Sequence, residues 1–149
     1  MADFHVDIVP ADQLRTFESS YFTEMECSGA ASTPTQFNYA FGLVHAQRRE
    51  DIRKSIPLLQ SLLRPGTDHR DFIYYLSLAY YRLGEHDKAL AYVKRVLAME
   101  PNNKQAQNLH DSIQKTLKTE GALGMAIVTG GVAIGVGLVA IVAGALIRR

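Results

Sequence analysis

Apolar residues recur every three to four positions from about residue 11 to residue 118, and no stretch sustains the alternation of a β-strand. Breakers divide this pattern into six predicted helices, which cover about residues 11–27, 33–47, 51–63, 68–83, 87–99 and 102–118. Gly84 is the predicted stop of the fourth helix, and Pro101 follows the fifth. The pattern therefore predicts an all-α domain.

Polar residues at the predicted helix starts indicate how the ends are capped. Thr33 stands before a proline at the first helical position, and Gln36 is spaced to complete a capping box with it. Asn102 is the predicted cap of the sixth helix. Pro57 lies inside the third predicted helix, where it removes a hydrogen bond, so we expect a kink near Arg53.

Two helical repeats account for the middle of the chain. Residues 34–67 form a weaker repeat with a longer turn that lacks glycine, whereas residues 70–103 follow the tetratricopeptide pattern. The residues that carry the pattern are Ile73, Leu76, Ser77, Tyr80, Gly84, Ala89, Val93, Val96 and Pro101. The first and sixth helices would cap the two repeats. We therefore expect an N-terminal arm over residues 1–10 and a six-helix tetratricopeptide-like bundle over residues 11–120.

Composition changes sharply near the C-terminus, because residues 123–147 contain no charged side chain. As a helix, this stretch would reach roughly 37 Å, enough to cross a hydrocarbon core of about 30 Å. A buried core helix is the alternative, but such helices rarely run so long without a charge. The sequence thus predicts one C-terminal transmembrane helix, followed by a basic tail at residues 148–149. The basic flanks predicted to contact lipid headgroups are Lys115, Lys118, Arg148 and Arg149.

The position of this segment predicts a tail-anchored topology. The first 15 residues contain three aspartates and no long apolar run, so no secretory signal is visible there. The helical domain is therefore expected to face the cytosol. Gly131 and Gly135 would let two tails pack closely as a homo-oligomer, although such pairs also arise by chance in a glycine-rich segment.

Charge and motif content disfavour enzymatic and nucleic-acid-binding functions. The net charge is +1, which provides no electrostatic basis for nucleic-acid binding. A single cysteine excludes an intrachain disulfide and multi-cysteine metal sites. Phosphate-loop, zinc-protease and nucleophile-elbow motifs are absent, and the five histidines are scattered. We expect no catalytic residues, cofactor, metal or small-molecule substrate.

The first helix of each repeat is expected to line a concave, peptide-binding groove. Repeat positions place these residues in it: Asn38, Tyr39, Gly42, Leu43, Tyr74, Tyr75, Leu78 and Leu109. Tyr74 and Tyr75 could instead fill the core, and of the two we favour Tyr75 for the groove. The apolar arm is either a frayed terminus or a segment that lies across the groove.

Several stretches resemble the mitochondrial fission protein 1 family: residues 35–44, 51–54, 74–84, 88–93 and 124–128. Two departures are Phe41, where members usually have Trp, and Pro57, where they usually have an aliphatic residue. The resemblance implies an adaptor in the mitochondrial outer membrane, and also in peroxisomal membranes. It implies recruitment of a dynamin-related GTPase, directly or through a fission adaptor protein.

Three other kinds of protein share parts of this pattern. Tail-anchored apoptosis regulators are helical, but their Asn-Trp-Gly-Arg signature is missing, and the chain contains no Trp. Import receptors with tetratricopeptide repeats carry the anchor at the N-terminus. Receptors for chaperone tails need a basic clamp, and Gly42, Asp71 and Tyr75 occupy clamp positions here. These classes are disfavoured.

Overall fold

Six helices build the protein in the computed structural model, which describes residues 4–65 and 69–131, with side chains up to residue 121. They are α1 (Ala11–Ser28), α2 (Thr33–Val44), α3 (Arg49–Leu62), α4 (Arg70–Arg82), α5 (His86–Met99) and α6 (Lys104–Gly131). Each predicted helix has a counterpart within a few residues. The predicted all-α tetratricopeptide-like fold is thus confirmed.

The start of α2 differs from the prediction. Ser32, not Thr33, is the N-cap, and its Oγ accepts from the backbone N–H of Thr35 at 3.4 Å. A capping side chain must lie outside the helix, and Thr33 already belongs to it. Gln36 does not close a capping box, because its amide donates to the carbonyl of Leu58 in α3 at 2.9 Å.

The start of α6 also differs by one residue. Asn103, not Asn102, is the cap, and its Oδ1 accepts from the N–H of Ala106 at 3.0 Å. The predicted stop at Gly84 is confirmed, since its φ of 80° is a left-handed conformation that a glycine adopts without strain. Pro57 lies inside α3, which continues from Arg49 to Leu62, so the kink stays a prediction.

Neighbouring helices pack in chain order, with α1 on α2, α2 on α3, α3 on α4 and α4 on α5. Small residues allow the close crossing of α4 and α5. Ser77 and Ala89 are fully buried there, and the Ser77 hydroxyl donates to the Ala89 carbonyl at 2.7 Å. The largest fully buried apolar side chains of the two repeats are Leu43, Val44, Ile52, Leu59, Leu76, Val93 and Val96.

Two arginines tie the repeats together at their helix ends. The Arg82 guanidinium donates to the carbonyls of Val44 and Ala46, each at 2.6 Å. Arg49 donates to the carbonyl of Leu83 at 2.9 Å. Each arginine thereby satisfies carbonyls that a helix C-terminus leaves without an intrahelical partner. Burial lowers the pKa of Arg82.

Residues 1–113 form one compact unit, and a second unit begins at residue 114. In the first, α6 buries Ala106, Leu109 and Ile113 along one face. Among the described residues, no helix combines the length and apolarity needed to cross a bilayer. Most of the predicted anchor at 123–147, together with Arg148 and Arg149, lies outside the described residues. The anchor therefore stays a prediction.

Candidate partner-binding site

Half-buried rings from α2, from its C-cap His45 and from α4 form a cluster that we call the aromatic cluster, composed of Phe37, Phe41, His45, Phe72 and Tyr75. Ring centroids are 5.2 Å apart between Phe37 and Phe72, and 5.4 Å apart between Phe41 and Tyr75. The α2 rings are four residues apart and share one helix face. The cluster therefore offers apolar and aromatic surface on the first helices of both repeats.

Helix α1 covers another face of α2, where two of the predicted groove residues lie. Tyr39 is buried, and its hydroxyl donates to Glu18 at 3.0 Å. Burial and this carboxylate raise the pKa of Tyr39. At Gly42, a Cβ would lie 2.9 Å from Phe17 Cδ2 and 3.0 Å from Leu14 Cδ1. A residue without a side chain at this position thus permits the close approach of α1.

The other predicted groove residues divide between core and surface. Those in the core are Leu43, Tyr74, Leu78 and Leu109, each no more than 6% exposed. Asn38 is exposed on α2, and Tyr75 belongs to the aromatic cluster. The side chains of Lys115 and Lys118 are exposed on α6. The roles assigned to all these residues stay predictions, but in this conformation a partner reaches the aromatic cluster more readily than the buried residues.

Four members of the aromatic cluster were absent from the predicted groove: Phe37, Phe41, His45 and Phe72. Their signal was present in the spacing, because aromatic residues four apart form a stripe on one helix face. The groove was predicted from repeat positions, and these four residues do not occupy the positions expected to line it.

The N-terminal arm contacts the ends of α2 and α4. The backbone N–H of Val9 donates to the carbonyl of His45 at 2.9 Å. The Phe4 ring packs edge-on against Tyr81, with centroids 5.7 Å apart. These contacts place the arm beside the His45 edge of the aromatic cluster.

His45 lies where the arm and the aromatic cluster meet. Its ring packs 4.3 Å from the Phe41 ring, and its Nδ1 is 2.8 Å from the Phe41 carbonyl. Burial lowers the pKa of His45. The charge of Arg82 also lowers this pKa, whereas the Phe41 carbonyl and Asp7 of the arm oppose the shift. Tyr75 of α4 faces the same ring.

We expect acidification to destabilise the domain through His45. The folded state binds its proton less readily than the unfolded state, so stability is lost as pH falls through the ordinary histidine value of 6.5 toward the lower folded pKa. Urea unfolding at a series of pH values measures this slope. His45→Gln should flatten it, and His5→Gln, which changes an exposed histidine of the arm, should not. An equal slope in the wild type and His45→Gln would contradict the assignment.

The site is suited to binding through apolar contact. The described residues contain no group of three or more His, Cys, Asp or Glu side chains placed to hold a metal ion. Within the same part of the chain, no buried side-chain nitrogen or oxygen lacks a hydrogen-bond partner. Aromatic surfaces of this kind often provide the anchoring contacts of protein interfaces.

Two family models match consecutive parts of the chain. Residues 35–66 match the Fis1 N-terminal tetratricopeptide repeat, and residues 70–122 match the Fis1 C-terminal tetratricopeptide repeat. The mitochondrial fission 1 protein of Mus musculus is 44% identical over 132 residues, covering 87% of this chain and 86% of the relative. That of Mycosarcoma maydis is 37% identical over 134 residues, covering 89% and 87%.

Solved structures agree with the sequence relatives. The fission protein Fis1 from Saccharomyces cerevisiae superposes with a TM-score of 0.71 at 25% identity, covering 83% of this chain and 99% of that one. Yeast Fis1 in complex with an Mdv1 fragment superposes with a TM-score of 0.70 at 26% identity, covering 81% and 99%. From its two repeats, its full-length relatives and its fold, we conclude that the chain belongs to the mitochondrial fission 1 protein family.

Proposed function

We propose that this protein is a tail-anchored adaptor for mitochondrial and peroxisomal fission. It lies in the mitochondrial outer membrane, and also in peroxisomal membranes, with its helical domain facing the cytosol. It recruits a dynamin-related GTPase, directly or through a fission adaptor protein. The family is one of tetratricopeptide adaptors and not of enzymes, and its yeast member has been solved in complex with an Mdv1 fragment.

The observation that carries the proposal is the accessible aromatic cluster on the first helices of both repeats. Its rings remain half-buried after the core is filled, so they offer apolar area to a peptide or a helix. A partner bound there would lie beside the N-terminal arm, which reaches the carbonyl of His45. Binding at a membrane raises the local concentration of the partner, and recruitment then needs no chemistry from this chain.

Loss of the aromatic cluster should abolish recruitment. We expect a Phe41→Ala, Tyr75→Ala double variant to weaken binding by about tenfold or more, because truncated aromatic anchors typically cost above 1 kcal/mol each. The measurement is capture of a dynamin-related GTPase or fission adaptor on vesicles that carry the full chain. Leu78 is unsuitable for this test, since it is 3% exposed and its truncation would unfold the core.

A matched control is Leu90→Ala with Leu97→Ala, which removes two half-buried side chains of α5 that lie outside the aromatic cluster. Its binding should equal that of the wild type, and circular dichroism should show both double variants folded. If the folded Phe41→Ala, Tyr75→Ala variant captures the same fission proteins equally well, the site is misassigned.

The anchor is tested by truncation. A chain that ends after Lys118 lacks all 25 residues of the uncharged segment 123–147, so we expect it to leave the organelle membrane and become cytosolic. Fluorescence microscopy with mitochondrial and peroxisomal markers measures this. As a control, the same tag on the full chain should colocalise with both organelles. Retention of the truncated chain on the membrane without help from other proteins would contradict tail anchoring.

A further inference from the structure

Asp71 is exposed at the α4 edge of the aromatic cluster. It is the second residue of α4, it precedes Phe72, and it lies one helical turn before Tyr75 on the same face of the helix. Burial raises the pKa of Tyr75, and the charge of Asp71 raises this pKa further, because a nearby carboxylate disfavours a second negative charge. The aromatic cluster is therefore bordered by a carboxylate at this edge.

One carboxylate oxygen of Asp71 is available to a partner. Its Oδ1 accepts a hydrogen bond from Arg70 Nε at 3.2 Å, whereas its Oδ2 makes no hydrogen bond within the described residues. The side chain of Asp71 is 63% exposed, and that of Arg70 is 37% exposed and also pairs with Glu100. Because one guanidinium is shared between two carboxylates, this edge of the cluster is suited to a cation more than to an anion.

Other polar groups border the same rings. Within the part of the chain that the structure describes, neither the Tyr75 hydroxyl nor the exposed side chain of Asn38 makes a hydrogen bond. A small surface pocket at the start of α4 is lined by His69, Arg70, Asp71 and Phe72. An apolar centre with a solvent-accessible polar rim is the usual arrangement of a protein interface.

We propose that the aromatic cluster binds a partner segment in which an arginine or lysine accompanies the apolar anchors, and that Asp71 recognises this basic residue. The inference rests on the proposed function of the cluster and adds the charge of its partner. The basic side chain extends its apolar stem along the Phe72 ring and places its cation at Asp71 Oδ2. Such charge complementarity discriminates between partners that share the same apolar anchors.

Charge reversal at Asp71 tests the proposal, and Asp87→Lys is its matched control. Asp71 and Asp87 are each the exposed second residue of a helix, so Asp71→Lys and Asp87→Lys lose the same favourable interaction with a helix N-terminus. Asp87 belongs to α5, which contributes no ring to the aromatic cluster. Circular dichroism should show both variants folded.

The probe is a random peptide library displayed on phage and selected on the full chain in detergent solution. Only peptides that lose binding to the Phe41→Ala, Tyr75→Ala variant are scored, because these bind at the aromatic cluster. Peptides selected on the wild type and on Asp87→Lys should carry Arg or Lys beside their apolar anchors. Those selected on Asp71→Lys should carry Asp or Glu at the same place.

Fluorescence anisotropy with single peptides measures the size of the effect. A basic peptide selected on the wild type should bind Asp71→Lys about fivefold more weakly or worse, because an attractive charge pair becomes a repulsive one. Replacing its basic residue with Glu should restore binding to Asp71→Lys.

Two results separate this inference from the proposed function. If the basic peptide binds the wild type and folded Asp71→Lys equally well, or if the wild type selects acidic or uncharged peptides at the cluster, the inference is wrong and the proposed function stands. If no selected peptide depends on the aromatic cluster, the proposed binding site is wrong and the inference falls with it.

Discussion

Replacing Arg82 with Met should lower the free energy of unfolding by about 3 kcal/mol, because hydrogen bonds from a charged donor are lost and buried carbonyls are left unpaired. The Arg82 guanidinium reaches Val44 and Ala46 at the end of α2, across 38 and 36 residues of sequence. Met keeps much of the apolar stem and removes the donors. Urea unfolding followed by circular dichroism measures the change.

Two further substitutions show whether this loss of stability comes from the hydrogen bonds to the helix-end carbonyls. Arg49→Met removes one bond to Leu83 from a more exposed side chain, so it should cost about 1 kcal/mol. Arg53→Met changes an exposed residue of α3 and should stay within about 0.5 kcal/mol of the wild type. If Arg82→Met unfolds at the same urea concentration as Arg53→Met, the guanidinium does not join the two repeats as described.

Replacing Gly42 with Leu should displace α1 from α2 and lower stability by about 3 kcal/mol, the upper end of typical overpacking costs. Even a Cβ there would lie 2.9 Å from the Phe17 ring, and Leu adds three further carbons. Helix α1 contains no buried residue, so it is less firmly held than the core helices and should yield first. Hydrogen exchange should accelerate in α1 and remain slow in α4.

Gly121 is the matched control for this substitution, since a Cβ built there meets nothing within 4 Å. Gly121→Leu should therefore cause no loss of stability and no change in the exchange of α1. Should Gly42→Leu leave exchange in α1 as slow as in the wild type, the close contact between α1 and α2 would not exist in solution. The result also bears on the groove, because Gly42, a predicted groove residue, lies against Phe17 and Leu14 of α1.

Local sequence signals were sufficient to predict the helices and the family. Apolar spacing near 3.6 residues, interrupted by glycine and proline, located all six helices, because a helix depends mainly on residues within one or two turns. Predicting the end of α4 at Gly84 required only that this residue can adopt a left-handed φ without strain. The residues that cap the helices were harder to predict, because either of two adjacent polar residues, such as Asn102 and Asn103, can occupy the cap position.

The composition of the site was harder to predict, because burial depends on helices that are distant in sequence. Tyr74 and Tyr75 are adjacent, yet Tyr74 is 6% exposed and Tyr75 joins the half-buried aromatic cluster. A groove predicted from repeat positions assumes that each repeat is a typical one, in which the groove face of the first helix is exposed to solvent. Tyr39 does not fit that assumption, because α1 covers it and Glu18 accepts its hydroxyl hydrogen bond.

By itself the sequence determined the all-α class, the two repeats and membership of the mitochondrial fission 1 protein family, together with an uncharged C-terminal segment long enough to be predicted as an anchor. These follow from patterns along the chain, which reflect local backbone preferences. Only the tertiary structure decided which rings remain accessible, that the arm reaches His45, and that Arg82 caps α2. Those contacts join residues more than thirty positions apart, and their geometry depends on how whole helices pack.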